Sequence, residues 1–287
     1  MCDDQSVVPF STPTRRAILG AFSTSVVAGL TACTSPSQPP QRPTSAVSPV
    51  AVQSSAPTPS PTGTGPTAAT TTGTKRIRRT FIPDYQLPPV VGGLAPVITK
   101  IPTKNPVVFL TIDDGAVKSP ESVQLLAEYD YPATLFLTKN TIADNPGFFK
   151  AFHAQGSLVE NHTVTHNVNM VRQWGYQQQL NDIVGMQDYA TQQFGRRPTL
   201  FRPPGGDYST VMRRAVASAG LKAVITWEAK ANAGKMDYQV GNSLRPGDIV
   251  LMHFRPEFAA DFAAFRAAQL AAGLEVVLLE DFLGVDQ

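Results

Sequence analysis

From residue 107 onward, short apolar runs of strand length alternate with segments patterned as helices, and this alternation restricts the fold more than anything else in the chain. The runs are VVFLTI (107–112), ATLFLT (133–138), SLVENH (157–162), TLFRPP (199–204), KAVITWE (222–228) and DIVLMHF (248–254). The helical segments are SPESVQLLAEYD (119–130), NPGFFKAFHAQG (145–156), GYQQQLNDIVGMQDYATQQFG (175–195), STVMRRAVASAG (209–220) and EFAADFAAFRAAQLAAG (257–273). Ser119 followed by Pro120 has the form of a helix start, and Gly156, Gly195 and Gly220 close three of the segments. Runs apolar on both faces suit parallel strands buried on both sides. Strands alternating with helices predict an α/β fold, a parallel sheet covered by helices, with LEVVLLEDFLG (274–284) ending the domain.

Polar residues sit where the apolar runs end: Asp113 and Asp114, His162 and His166, Arg202, Trp227 and Glu228, and His253. Sites in α/β sheets form at the carboxyl ends of the strands, so this placement is a functional signal. Asp113 and Asp114 repel each other and resist burial. DDG alone also suits a solvated turn. HTVTH (162–166) changes the balance, because histidines at i and i+4 can be aimed at one ion. Two imidazoles with Asp114 make a catalytic metal site with open positions, and leave Asp113 as a general base. Two histidines and a carboxylate also suit Fe(II), so an iron oxygenase is a rival reading.

In FRPPGG (201–206), Arg202 either clamps Asp113 or lies in a surface loop before the Pro-Pro turn. The glycines there let backbone N–H groups approach a substrate. His253 reads as a buried core histidine or, from its place at a strand end, as a general acid. His153 is assigned no role.

The rest of the chain differs in composition. Charged residues make up 16% of the whole and the net charge is +2, which gives no basis for a nucleic-acid partner. Cys2 and Cys33 are the only cysteines, which excludes a disulfide framework and a cysteine zinc site in the globular part. Residues 1–32 read as an export signal: TRRAIL resembles the twin-arginine pattern, and LTAC (30–33) resembles a lipobox ending at Cys33 as the lipidation site. A plain secretory signal is the alternative. Residues 33–79 are rich in Pro, Ser and Thr and are expected as a disordered linker closed by the basic cluster KRIRR (75–79). An extended lead-in over 80–103 then precedes the domain at 104–287. The expected location is the outer face of the bacterial cell membrane as a lipoprotein, or outside the cell as a secreted protein.

LTIDDG, HTVTH, FRPPGG and IVLMHF, in this order, resemble the motif series of the polysaccharide deacetylases, carbohydrate esterase family four with its NodB-homology domain. The resemblance covers residues 104–287. It implies an irregular (β/α) barrel of about seven parallel strands and hydrolysis of N-acetyl groups on a polysaccharide. It implies one divalent metal ion, zinc first, with cobalt, nickel or manganese as alternatives, held by Asp114, His162 and His166. It also implies Asp113 as the base, Arg202 positioning it, the Gly205 N–H on the oxyanion and His253 as the acid. Two departures stand out. Gly205 replaces an aromatic residue, so either the cleft is wider or Trp227 or Tyr208 supplies the wall that binds the sugar. TWEAKANAGK (226–235) keeps Trp227 but lacks the aspartates that usually accompany it, so that either Glu228 or Asp237 substitutes for them or His253 is less well oriented. Phe254 likewise stands where the family often has aspartate. Peptidoglycan is the first substrate expected, then chitooligosaccharide or acetylxylan, with the chain acting as a monomer. The alternative is a catalytically impaired glycan-binding protein that kept the metal site.

Overall fold

A computed structural model describes residues 80–285. Its strands are β1 (Val97–Ile98), β2 (Val107–Asp114), β3 (Thr134–Leu137), β4 (Leu158–Asn161), β5 (Leu200–Phe201), β6 (Ala223–Ile225), β7 (Ala229–Asn232), β8 (Lys235–Tyr238), β9 (Ile249–His253) and β10 (Glu275–Val276). The helices are α1 (Pro120–Tyr129), α2 (Lys139–Ile142), α3 (Lys150–His153), α4 (Met170–Gln173), α5 (Tyr176–Phe194), α6 (Thr210–Ser218), α7 (Phe258–Ala271) and α8 (Leu279–Leu283). The sheet order is β1-β6-β5-β4-β3-β2-β9-β7-β8, with β10 beside β2. All ladders are parallel except β7 with β8. The sheet is a curled half-barrel: edge strands β1 and β8 do not pair with each other, so the expected barrel stays open. Ten strands are present among the described residues, against about seven expected. The four strands beyond the six apolar runs are short or weakly apolar: two-residue β1 and β10, and the hairpin β7–β8.

Strand alternation sorts side chains to the two faces of the sheet. Val107 and Phe109 of β2, Phe136 of β3, Leu200 of β5, Ile225 of β6 and Ile249 of β9 form one apolar cluster, closed by Leu279, Phe282 and Leu283 of α8. Their neighbours Val108, Leu110 and Ile112, with Leu135, Val250 and Met252, pack outward against α1, α3 and α7. Ser119 caps α1 as its sequence suggests, accepting from the Glu121 N–H at 3.2 Å. The segment 80–103 contributes to the core: Ile98 and Ile101 are buried in the inner cluster, and Phe81, Tyr85 and Leu87 pack against that cluster.

The floor of the half-barrel carries two buried carboxyls. Glu160 accepts from the N–H groups of Leu200 and Thr199 at 2.6 and 2.7 Å and pairs with Arg196 at 2.8 Å. Glu280 accepts from Thr134 Oγ1 at 2.6 Å, and its Oε1 has no hydrogen-bond partner. Burial, and after it the charge of Glu160, hold the Glu280 carboxyl well above its usual range. A folded-state pKa above the unfolded one gives stability that is full below the unfolded value, near pH 4.3, and declines as pH rises toward the folded value. Glu280→Gln is neutral at every pH. It is expected to flatten that decline and to raise Tm at pH 8 by roughly 2–4 °C per kcal/mol recovered. Thermal unfolding of both proteins from pH 4.5 to 8 checks this, and parallel Tm curves would contradict it.

Candidate metal and active site

The inward positions that make the floor also place the site. Counting by twos along β2 gives Val107, Phe109, Thr111 and Asp113. The same count puts His162 above Glu160, Arg202 above Leu200, Trp227 above Ile225, and His253 above Ile249 and Leu251. The polar strand-end residues are thus the last inward residues of neighbouring strands, gathered at one end of the sheet. Asp113 pairs in register with His253 across β2 and β9.

Strict alternation would send Asp114 to the opposite face from Asp113. Its backbone prevents that: Asp114 has a φ of 73°, a left-handed conformation rare outside glycine. Gly115 follows with a φ of 81°, and a Cβ there would sit 2.4 Å from Ile142 Cγ2. The glycine of DDG is therefore required by both conformation and space. The turn brings Asp114 Oδ1 to 3.0 Å from His166 Nε2 and 3.5 Å from His162 Nε2.

Donor chemistry at these three residues fits a divalent cation. His162 Nδ1–H donates to the Arg202 carbonyl at 2.7 Å, which leaves the Nε2 lone pair facing Asp114. Asp114 Oδ1 is buried with no hydrogen bond directed to it. One ligand atom from each of the three lies within 4.8 Å of the others. A tetrahedral ion with bonds near 2.0 Å spaces its ligands by roughly 3.3 Å, close to the separations seen. Burial works to raise the Asp114 carboxyl, but the imidazoles of His162 and His166 beside it hold it well below the usual range. Asp114 in turn raises His166.

Asp113 is 2% exposed and is not in that ligand set. Its Oδ1 accepts from Arg202 Nη1 at 2.7 Å. Arg202 is fully buried, so of the two readings left by the sequence the clamp is the one observed. The guanidinium is fixed by Thr111 Oγ1 at 2.7 Å, by the Ile225 and Thr226 carbonyls at 3.3 and 3.2 Å, and by the Phe136 ring at 4.3 Å. Thr111, a polar residue within an apolar run, is a support that sequence reasoning missed.

Gly205 turns with a φ of 70°, and a Cβ there would lie 3.4 Å from Val168 Cβ. Val168, 48% exposed, thus stands over the turn where sequence reasoning placed no residue. The Trp227 ring covers Gly206, where an added Cβ would come within 2.6 Å of it, and lies 5.8 Å from the Arg202 guanidinium. Tyr208 is 46% exposed just beyond the turn. Burial lowers the pKa of the His253 imidazole, while the charges of Asp113 and Asp114 oppose that shift. Neither acid expected to tune His253 does so. Glu228 is held by Arg245 at 2.5 Å, and Asp237 pairs with Lys230 at 3.3 Å in the β7–β8 hairpin. Among the described residues no carboxylate lies within 4 Å of the His253 ring nitrogens. His153 lies in α3, with Nδ1 on the Ser157 carbonyl at 3.3 Å, away from the site. Cys33 lies outside the described residues.

Comparison with known proteins places this geometry in context. A family model described as polysaccharide deacetylase matches residues 100–224. An uncharacterised protein of Streptomyces coelicolor is 38% identical over 196 residues, 66% of this chain and 78% of that one. The chitooligosaccharide deacetylase of Sinorhizobium fredii is 32% identical over 182 residues, 59% of this chain and 83% of that one. Among solved structures, the Bc1960 peptidoglycan N-acetylglucosamine deacetylase has a similar fold. Its TM-score is 0.57 at 19% identity, over 67% of this chain and 94% of that one.

Proposed function

The chain belongs to the polysaccharide deacetylase family, and from that premise we propose that it is a metal-dependent hydrolase removing N-acetyl groups from a polysaccharide at the cell surface or outside the cell. The observation that carries the metal dependence is the buried, unbonded Asp114 Oδ1 facing the Nε2 atoms of His162 and His166. Zinc is the first candidate, with cobalt, nickel and manganese as alternatives. A divalent cation held by these three residues supplies Lewis acidity and lowers the pKa of a bound water.

The chain's own residues account for the remaining steps. Asp113 accepts the proton of the attacking water at Oδ2, since Oδ1 is taken by Arg202. Arg202 holds that carboxylate in its orientation. The water oxygen bonds to the acetyl carbon, and the Gly205 N–H donates to the oxygen that becomes negative. His253 protonates the departing nitrogen as the C–N bond breaks, which leaves acetate and a free amine on the sugar. Trp227 borders the turn that carries Gly205 and offers an apolar wall to a sugar ring, with Tyr208 at its edge.

Peptidoglycan is the first substrate proposed, because LTAC with Cys33 supports a lipid anchor on the outer face of the cell membrane, within reach of the wall. Chitooligosaccharide and acetylxylan follow. One observation favours a second reading, a glycan-binding protein that keeps the metal: Glu228 and Asp237 are engaged elsewhere, so His253 lacks a carboxylate to orient it. Acetate release by the zinc-loaded chain from peptidoglycan, N-acetylglucosamine oligomers and acetylxylan separates the two. Release from peptidoglycan or the oligomers supports the N-acetyl hydrolase; release from acetylxylan alone would make it an O-acetyl esterase instead; bound zinc and glycan without acetate supports the binding protein.

A further inference from the structure

We propose that Asp182 of α5 is a positioning residue for the metal centre, holding the loop 162–166 in the shape that aims His162 and His166 at Asp114. The inference rests on the metal-centre reading above. The loop leaves β4 and returns on itself within five residues, and two of them take left-handed backbone: Thr163 at a φ of 71° and His166 at 56°. For a β-branched threonine this conformation is an outlier, so contacts from outside the loop must impose it.

The contacts come mainly from α5, a helix of 19 residues. Asn161 Oδ1 accepts the Thr163 N–H at 2.9 Å, while its own amide donates to the Ile183 carbonyl and to Gln187 Oε1 at 2.9 and 3.0 Å. That ties the start of the loop. The middle is tied by Asp182, whose Oδ2 accepts from Thr165 Oγ1 at 3.1 Å and from the Thr165 N–H at 3.4 Å. Inside the loop the His166 N–H donates to Thr163 Oγ1 at 3.1 Å. Thr165 is itself exposed; beside it Val164 packs on the core and its carbonyl accepts from the Asn140 N–H at 3.0 Å, and Asp182 adds the tie at Thr165 itself.

Asp182 is 8% exposed, and among the described residues it has no Lys, Arg or His within ion-pair distance. Burying a carboxylate against threonine donors is costly where a neutral side chain would pack. The cost is explained if the carboxylate fixes the direction of both imidazoles before an ion arrives. Partners of this kind, one step behind metal ligands, affect affinity by about 10–100-fold when removed.

The test is the zinc affinity of the full chain, measured by competition with a chromophoric chelator, for wild type, Asp182→Ala, Asp182→Asn and Thr165→Val. Cobalt absorption spectra and thermal unfolding of the metal-free proteins accompany it. Asp182→Ala is expected to bind zinc about 10–100-fold more weakly and to give an altered cobalt spectrum, with metal-free Tm close to wild type. Asp182→Asn keeps an acceptor oxygen without the charge and is expected to recover most of the affinity. Thr165→Val, which removes one of the two hydrogen bonds, is expected to lose less than Asp182→Ala, and it decides the matter if Asp182→Ala does not fold. Wild-type affinity in Asp182→Ala would overturn the proposal. So would an Asp182→Asn as weak as the alanine variant, which would make charge rather than hydrogen bonding the cause. A wild-type chain that takes up neither zinc nor cobalt would instead sink the metal-centre reading itself.

Discussion

Asp113→Asn is expected to lower the rate of acetate release by about 10²–10⁴-fold while zinc still binds. The expectation follows from how the two adjacent aspartates are held. Asp114 faces the two histidines, and Asp113 does not belong to that set. Asp113 is bound on one oxygen by Arg202, which leaves Oδ2 for a proton. Asparagine preserves the acceptor for Arg202 but presents an amide where the proton must go. Zinc uptake measured beside acetate release checks both halves. Full activity in the folded, metal-loaded variant would remove Asp113 from the role of base.

Arg202→Met is expected to cost stability as well as activity. The guanidinium is fully buried, and its removal leaves the Asp113 carboxylate without its cation. It also leaves Thr111 Oγ1 and two backbone carbonyls without their donor. Breaking a buried pair by removing one partner costs about 3–5 kcal/mol, because the remaining charge is uncompensated. Urea unfolding of the two proteins reads that cost directly. The double variant Asp113→Asn with Arg202→Met should recover part of it, since no lone charge is then buried. A single variant as stable as wild type would mean that the clamp contributes nothing to the fold.

Both expectations depend on residues that were legible in the sequence. The apolar runs ending in Asp113, His162, Arg202, Trp227 and His253 mark strands, and period-two alternation carries each of these to the inner face. DDG was legible as a site only together with HTVTH. The left-handed backbone at Asp114 that lets both carboxylates serve one site is a three-dimensional result, with only Gly115 to hint at it. The hairpin β7–β8 was not visible. AKAN and KMDY alternate in burial, but each run is only four residues long, and alanine and lysine carry little strand preference. Asp182 was hidden for a related reason. It reads as one polar residue among many on α5, and a helix pattern does not show that the position faces a loop donor. The supposed substitutes Glu228 and Asp237 were misjudged because proximity in sequence to Trp227 says nothing about the cations Arg245 and Lys230 that engage them.

The most direct measurement is acetate release from N-acetylglucosamine oligomers and peptidoglycan by the chain after chelation, after zinc is restored, and in a His162→Ala variant treated identically. A metal-dependent deacetylase releases acetate only with zinc restored and not in the variant. Acetate release that continues through chelation, or that survives His162→Ala, would contradict the assignment of Asp114, His162 and His166 as the metal centre of the reaction.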